Sequence, residues 1–472
     1  MIFTLLLTRN MSQQQYGIWS NIFDLTGYFT ILVGLFPFWA TRFVARKKEG
    51  VVKMAVIANS VVALVAATLY LSLVSTVTGA FHINAYLVVY MVASLQIVNA
   101  YLITILESCL QSVKPQVIGY GLLLEESCKV VVAYVLIVWF NQLFMGAMGG
   151  LIVGASIQAV FYLWLLRGNL QEKIHWNYLK EWIKGSTVIF YNAVGNQLIA
   201  FVFILLFLYG GEAARGEYQA AATFTTVIGY SQSLAYALYP KMLANDCSDS
   251  AATLSFKTVL MFALPMGAIT IAMAQSFLTV LNVSYSSVSP VLILLTLDTL
   301  VVIISHFYTS YLLGTERLDE AGEIPFRKLV RSKIFMIFTV PYIQSAIALP
   351  SVFYILTQLA PGGSVQAVMY VIVINILVHL ATFIGLCAFT RKSTRIMVAW
   401  KSLGKYLFAS VVTAAVLYPL PSPTTIILTF GKVGVGGATY LALLLLIDAD
   451  ARALVPLIWR EIRGAFVRSD KK

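Results

Sequence analysis

Residues 5–48 read LLLTRNMSQQQYGIWSNIFDLTGYFTILVGLFPFWATRFVARKK, and the rest of the chain is organised around them. They describe the stub of an apolar helix, then a short polar turn carrying Arg9 and the pair Tyr16-Gly17. A second helix of about 25 residues follows from Tyr16 to Phe43, long enough to cross a bilayer. Asn21, Asp24 and Tyr28 interrupt its apolar surface at i, i+3 and i+7 and so share one face. A carboxyl group inside a membrane segment is costly, which predicts that this face lines a polar cavity. The same stripe would also serve as hydrogen-bonding glue between spans. Arg42, Arg46, Lys47 and Lys48 crowd the far end and mark it as cytoplasmic.

Composition extends this reading to the whole chain. Hydrophobic residues make up 60% of the 472 and charged residues only 11%, which excludes an ordinary soluble domain. The net charge of +12 does not point to nucleic acid, because the basic residues recur in short clusters between apolar segments. Cys109, Cys128, Cys247 and Cys387 lack metal or redox spacing and read as small apolar fillers. No cleavable leader is recognisable in MIFTLLLTR.

Apolar segments of spanning length recur at 19–43, 51–77, 83–107, 117–140, 144–166, 186–209, 218–243, 255–281, 289–313, 334–358, 365–389, 403–420 and 424–447. That predicts thirteen full spans plus the stub. Of the 32 Lys and Arg, 28 fall on alternate connections; the exceptions are Arg9 and Arg215 on the opposite side and Lys129 and Lys432 inside spans. The split predicts a multi-pass protein of the cell membrane with its C-terminus in the cytoplasm.

A repeat supports the layout. A shift of 202 residues lays Tyr16 on Tyr218, Asp24 on Thr226 and Tyr28 on Tyr230, and each copy reads apolar helix, polar turn, polar-striped helix. The copies start on the same side, so they form a parallel repeat about an axis along the membrane normal. The expected architecture is all-α: two six-helix lobes, residues 1–170 and 171–390, and an extra helix pair with a basic tail, 391–472. The first helix has only about 12 Å of length before the turn and reads as truncated or partial.

Candidate site residues follow from these stripes. In the second copy Thr226, Tyr230 and Ser233 form a stripe at i, i+4 and i+7, and the preceding helix adds Asn192, Asn196 and Gln197, amides suited to hydroxyl-rich ligands. Interhelical hydrogen bonding is again the competing use. Near mid-span, Glu125 pairs with Lys129 at i, i+4 and leaves Glu126 without an evident partner. These three are candidates either for ion coupling or for an internal salt bridge. Asp298 is the best lone intramembrane acid for ion coupling, whereas His306 and His379 read as satisfied core histidines. No metal-ligand spacing and no phosphate-cradling loop occur, so neither a metal nor a cofactor is expected.

The opening pattern L-x-x-R-x-x-S-x-x-x-Y-G-I, Leu6 to Ile18, followed by P-x-x-A-T-R-x-x-A, Pro37 to Ala45, resembles polysaccharide-biosynthesis membrane proteins. These are the oligosaccharide flippases of the multidrug/oligosaccharidyl-lipid/polysaccharide exporter superfamily. Tyr218-Gln219-Ala220-Ala221, the run Ala237 to Leu243, Leu281-Asn282 with Tyr285, and the run Leu313 to Asp319 resemble that family in the same order. The resemblance implies a transporter rather than an enzyme. Its cargo would be a polyprenyl-(pyro)phosphate-linked oligosaccharide moved from the cytoplasmic to the outer leaflet by alternating access, for assembly of surface polysaccharide or glycoprotein. Its partners would be that lipid, membrane lipids and glycan-assembly enzymes, with no nucleic acid. Arg9 and Arg42 would then meet the phosphate, for which an arginine fork is suited; Arg42 serves equally as a topology anchor. A cation-coupled multidrug exporter of the same superfamily, and an integral-membrane glycan-assembly enzyme or scaffold, are the competing readings.

Overall fold

Helices begin and end where the local chemistry says they should, and the opening stretch shows how. The computed structural model describes residues 1–232, 249–314, 332–359, 362–393, 400–448 and 451–452, with no strand among them. In chain order the α-helices are α1 (Ile2–Asn10), α2 (Gln13–Phe29), α3 (Pro37–Ala45), α4 (Val51–Ala80), α5 (Leu87–Val113), α6 (Gln116–Tyr134), α7 (Leu143–Leu165), α8 (Asn177–Gly185) and α9 (Thr187–Leu205). They continue as α10 (Glu212–Gly229), α11 (Asp249–Ala272), α12 (Ala274–Leu281), α13 (Ser289–Gly314), α14 (Lys333–Gln358), α15 (Ser364–Ser393), α16 (Trp400–Leu417) and α17 (Ile426–Ile447).

Ser12 starts α2: its hydroxyl accepts from the Gln15 N–H at 3.2 Å while the Gln15 side chain accepts from the Ser12 N–H at 3.0 Å. Such a reciprocal cap satisfies two otherwise orphaned donors and contributes about 1 kcal/mol. The expected single helix from Tyr16 to Phe43 is broken. α2 ends at Phe29, a turn carries the chain to Phe36, and α3 restarts with Pro37 in its first turn. Proline has no N–H to donate into a preceding turn, but its fixed φ suits a helix start.

By length and apolar composition, nine helices among the described residues are able to cross a membrane. Four expected spans fall outside that set for visible reasons. Residues 19–43 are interrupted, residues 218–243 run partly beyond the described residues, α6 carries Glu125, Glu126 and Lys129, and α16 is short with Lys401 and Lys405 in its first turns.

The chain divides into two compact units, Met1–Gln219 with Phe338–Val371, and Ala220–Ile337 with Ile372–Lys472. These divisions fall elsewhere than the lobe limits at 170 and 390 taken from the repeat. In the first unit, Phe43, Tyr162 and Trp182 are buried in a core built from α3, α4, α5, α7 and α8. Buried tyrosines tie α2 and α4 to α5: the Tyr70 hydroxyl donates to the Tyr90 carbonyl at 2.8 Å, and that of Tyr101 to the Phe29 carbonyl at 2.9 Å. Gly146, Gly150 and Gly154, four apart on α7, let α6 approach so closely that a Cβ at Gly154 would lie 2.8 Å from the Glu125 carbonyl oxygen. In the second unit, Phe256, Phe307, Tyr406 and Tyr440 anchor a core shared by α11, α13, α16 and α17. The last two helices are built into it: Tyr440 donates to the Met261 carbonyl at 2.8 Å, and Asp448 accepts from Lys405 at 3.0 Å and Tyr406 at 3.2 Å.

A close backbone contact in the first unit joins the starts of α2 and α10. A methyl added at Gly17 would overlap the Glu212 carbonyl, and one at Gly216 the Gln13 carbonyl. Backbone cannot swing aside as a side chain can. Gly17→Ala and Gly216→Ala are each expected to destabilise by about 1–3 kcal/mol, as overpacking does, lowering the thermal midpoint in detergent. Gly404→Ala, which meets nothing within 4 Å, is expected to leave it in place.

Candidate functional site

Asn21, Asp24 and Tyr28 all lie within α2 and do share one face, and the structure shows what that face meets. Asn21 is fully buried, its side-chain oxygen accepting from the Tyr90 hydroxyl at 2.8 Å. Asp24 is held by Arg215. The guanidinium donates from Nε to Oδ2 at 2.7 Å and from Nη2 to Oδ1 at 2.8 Å, a two-pronged arrangement that matches the carboxylate plane. The two side chains are 9% and 5% exposed. Arg215 also donates to Gln219 at 3.0 Å and lies 4.8 Å from the Phe203 ring centre. So Asp24 is not a bare carboxylate facing a cavity, and Arg215 is not an outward loop cation. The reason is local. Gly211, at φ +93, ends the preceding helix, α10 starts at Glu212, and Arg215 is thereby in its first turn.

Tyr28 and Gln197, chosen separately from two helices, are brought together. Tyr28 sits edge-on to Phe201 at 6.5 Å between centroids, and a Cβ on neighbouring Gly27 would lie 3.2 Å from the Gln197 amide nitrogen. On the same helix Asn192 is half-buried and Asn196 exposed. Arg9 is exposed in the last turn of α1, and Arg42 stacks over Phe38 at 4.1 Å from the ring centre in the last turn of α3.

On α6 the expected Glu125–Lys129 ion pair is present, and Lys129 also takes Glu126 as a partner. Lys129 hydrogen-bonds Glu126, at i, i+3, while its Nζ stands 4.0 Å from Glu125. Glu126 therefore has a partner. Its side chain is more than half exposed, where bonding to Lys129 does not require burial, and Glu125 is the more enclosed of the two.

In the second unit Thr226, exposed Tyr230 and Gln232 line a cavity of about 410 Å³ together with Ala222, Thr225 and Thr299. The Thr226 hydroxyl donates to the Ala222 carbonyl at 2.8 Å, which leaves its lone pairs available as acceptors. Ser233 lies outside the described residues. Asp298 is not a lone acid: its Oδ1 is 2.7 Å from His379 Nδ1, and the second histidine of interest, His306, is exposed.

Several polar groups were not picked from the sequence. Glu217 is buried with one oxygen accepting from Ser364 at 2.7 Å and the other unpartnered. Glu107 accepts from Gln158 at 3.2 Å and Tyr162 at 3.3 Å. The usable signal was a charged residue within a few positions of an apolar span, a test that Arg215, Glu217 and Glu107 all pass. Among the described residues no group of three metal-ligating side chains occurs.

The model of the family described as "Polysaccharide biosynthesis protein" matches residues 1–245. Among solved structures, the chain is similar to the lipid II flippase MurJ in an inward closed conformation, with 13% identity, TM-score 0.69 and 96% of each chain covered. It is also similar to an inward-facing multidrug resistance MATE transporter of the MOP superfamily, with 10% identity, TM-score 0.63, and 83% of this chain and 95% of that one covered. A third is a MOP superfamily transporter from Pyrococcus furiosus, described as having a binding pocket of reversed polarity, with 12% identity, TM-score 0.57, and 83% and 92% covered. These likenesses establish the fold. No curated protein matches the sequence.

The Asp24–Arg215 pair makes a testable demand on stability. Asp24→Asn leaves a buried guanidinium without its counter-charge and is expected to destabilise by about 3–5 kcal/mol. Asp24→Asn combined with Arg215→Gln removes both charges and is expected to recover at least half of that loss, read as the thermal midpoint of purified protein.

Proposed function

The chain belongs to the polysaccharide biosynthesis protein family, and from that premise we propose that it is a flippase for a lipid-linked oligosaccharide. The observation that carries the proposal is the family match over residues 1–245, joined to a fold shared with a lipid II flippase over 96% of both chains. The cargo in this proposal is a polyprenyl-(pyro)phosphate-linked oligosaccharide, moved from the cytoplasmic to the outer leaflet by alternating access. The basic clusters on alternate connections support that orientation, with the C-terminus in the cytoplasm.

Physical chemistry assigns the parts. A sugar chain has hydroxyls to satisfy, which Thr226, Tyr230, Asn192, Asn196, Gln197 and Tyr28 can meet as donors and acceptors. Ser233 continues the same sequence stripe. Phosphate oxygens want a cation, and Arg9 and Arg42 are proposed to supply it near the two ends of the opening helices. Asn21 and Asp24, buried with Tyr90 and Arg215, act on the site by holding α2 in place. Glu125, Glu126 and Lys129 are kept as candidates for ion coupling.

The likeness to multidrug exporters supports a second reading, export of cationic drugs, over 83% of this chain. Purified protein in liposomes, given a fluorescent polyprenyl-pyrophosphate-linked sugar, separates the possibilities. Movement of the probe between leaflets above protein-free vesicles is the expected result. Formation or cleavage of a glycosidic bond without movement would identify an enzyme. Arg9→Ala is expected to slow probe movement about tenfold, corresponding to about 1.4 kcal/mol of lost phosphate interaction, and in cells to reduce surface glycan without changing drug sensitivity. The opposite pattern would favour the drug exporter.

A further inference from the structure

The charged clusters of the helices differ in what can leave them. Arginine does not release its proton in proteins, so the Asp24–Arg215 pair is a fixed neutral clasp. Lysine ammonium groups release theirs in water only near pH about 10, which sets Glu125, Glu126 and Lys129 apart as well. An imidazole beside a carboxylate is different, because imidazole exchanges a proton near pH about 6.5 in water. Asp298 on α13 and His379 on α15 form such a pair, 2.7 Å apart, with side chains 11% and 23% exposed.

We propose that Asp298 and His379 form a proton-binding dyad that loads and releases one proton as the transporter cycles, so that the coupling ion is H⁺. The role in coupling rests on the flippase reading; the proton binding does not. With a proton on Nδ1, the ring donates to the Asp298 carboxylate and Nε2 is left with a free lone pair. Loading forms one N–H bond at Nε2 using a proton delivered by water, and unloading breaks that bond and returns the proton to water. No other bond changes. The loaded pair is imidazolium and carboxylate, neutral overall; the unloaded pair carries one negative charge. A net charge is far more costly in a low-dielectric interior than a hydrogen-bonded neutral pair. The loaded dyad therefore tolerates enclosure, whereas the unloaded one needs water or another cation. That difference is what an ion-coupled cycle needs, since a bound ion shifts a conformational equilibrium only through unequal affinity for its two states.

The surroundings leave the two histidines as the side chains whose ordinary chemistry suits this pH range. His306, exposed and two turns further along α13, is near enough for its charge to interact with that of His379. On the elements packed against α13 the other described titratable groups are Lys257, Tyr230 and Tyr285; α13 itself adds Tyr308 and Tyr311, and α15 adds Tyr370 and Cys387. Lysine, tyrosine and cysteine side chains ordinarily titrate well above neutrality.

The sequence has only four histidines, so imidazole ¹⁵N NMR of histidine-labelled protein can follow each one. His379→Gln identifies the His379 signals by their loss. The expected result is that the His379 signals respond to pH, and that Asp298→Asn moves that response to lower pH, since a carboxylate neighbour favours imidazolium. Asp298→Glu, which keeps the charge, is expected to restore most of the shift and shows that folding is not the cause. A His379 signal fixed from about pH 4.5 to 8.5, or a midpoint indifferent to Asp298→Asn, overturns the dyad. In liposomes carrying the fluorescent polyprenyl-pyrophosphate sugar, a pH gradient is expected to accelerate movement several-fold and His379→Gln to bring that ratio to about one. Acceleration by a sodium gradient with no response to pH overturns the choice of ion. Failure of the native protein to move the probe overturns the flippase reading instead, and the NMR titration still decides the dyad.

Discussion

A charge placed among apolar helices needs a partner within the protein, a counter-charge or a hydrogen-bonding group, and that constraint organises the polar interior described here. Moving a carboxylate out of water costs several kcal/mol even after relaxation. The structure meets that cost with specific partners: Arg215 for Asp24, Lys129 for Glu126, His379 for Asp298 and Lys405 for Asp448. Each partnership joins helices or consecutive turns of one helix. The pairs thus fix register as well as charge. The Asp24–Arg215 clasp spans 191 residues of sequence and ties α2 to the first turn of α10, where Gly17 and Gly216 have already brought the two backbones together.

Small residues and buried tyrosines divide the remaining work. Lipid offers no hydrophobic drive for helices to associate, so close backbone approach and interhelical hydrogen bonds must supply it. The glycines of α7 provide the first against α6, and the hydroxyls of Tyr70, Tyr90, Tyr101 and Tyr440 provide the second by reaching backbone carbonyls or side chains on neighbouring helices. These contacts are specific to a fold rather than to a cargo. Thr226, Tyr230, Asn192, Asn196 and Arg9 differ from these tyrosines in having exposed or half-buried side chains.

Three of these four ionic clusters separate by chemistry, although they stand out equally as charges in apolar sequence. One is locked because arginine cannot release its proton; another keeps a lysine between two acids; the third sets an imidazole beside a carboxylate.

Membrane class, helical content and the identity of the opening helix as the key element were legible in the chain itself. Apolar runs of spanning length and alternating basic connections are one-dimensional properties that survive folding unchanged. The likeness to polysaccharide-biosynthesis proteins was legible too, through motifs in order, and the family match over residues 1–245 bears it out. The face shared by Asn21, Asp24 and Tyr28 was also correctly drawn, because helical periodicity places residues three, four and seven apart together. What it meets was not. Periodicity shows which residues share a face and nothing about what packs against it, so from sequence alone Arg215 reads as a loop cation and Asp298 as solitary. The break at Thr30–Phe36, the Lys129 bond to Glu126 and the pairing of Asp298 with His379 depend on which turn a proline interrupts, which rotamer a lysine adopts and which helix comes alongside. Those are decided by packing in three dimensions, where residues 81 or 191 positions apart become neighbours.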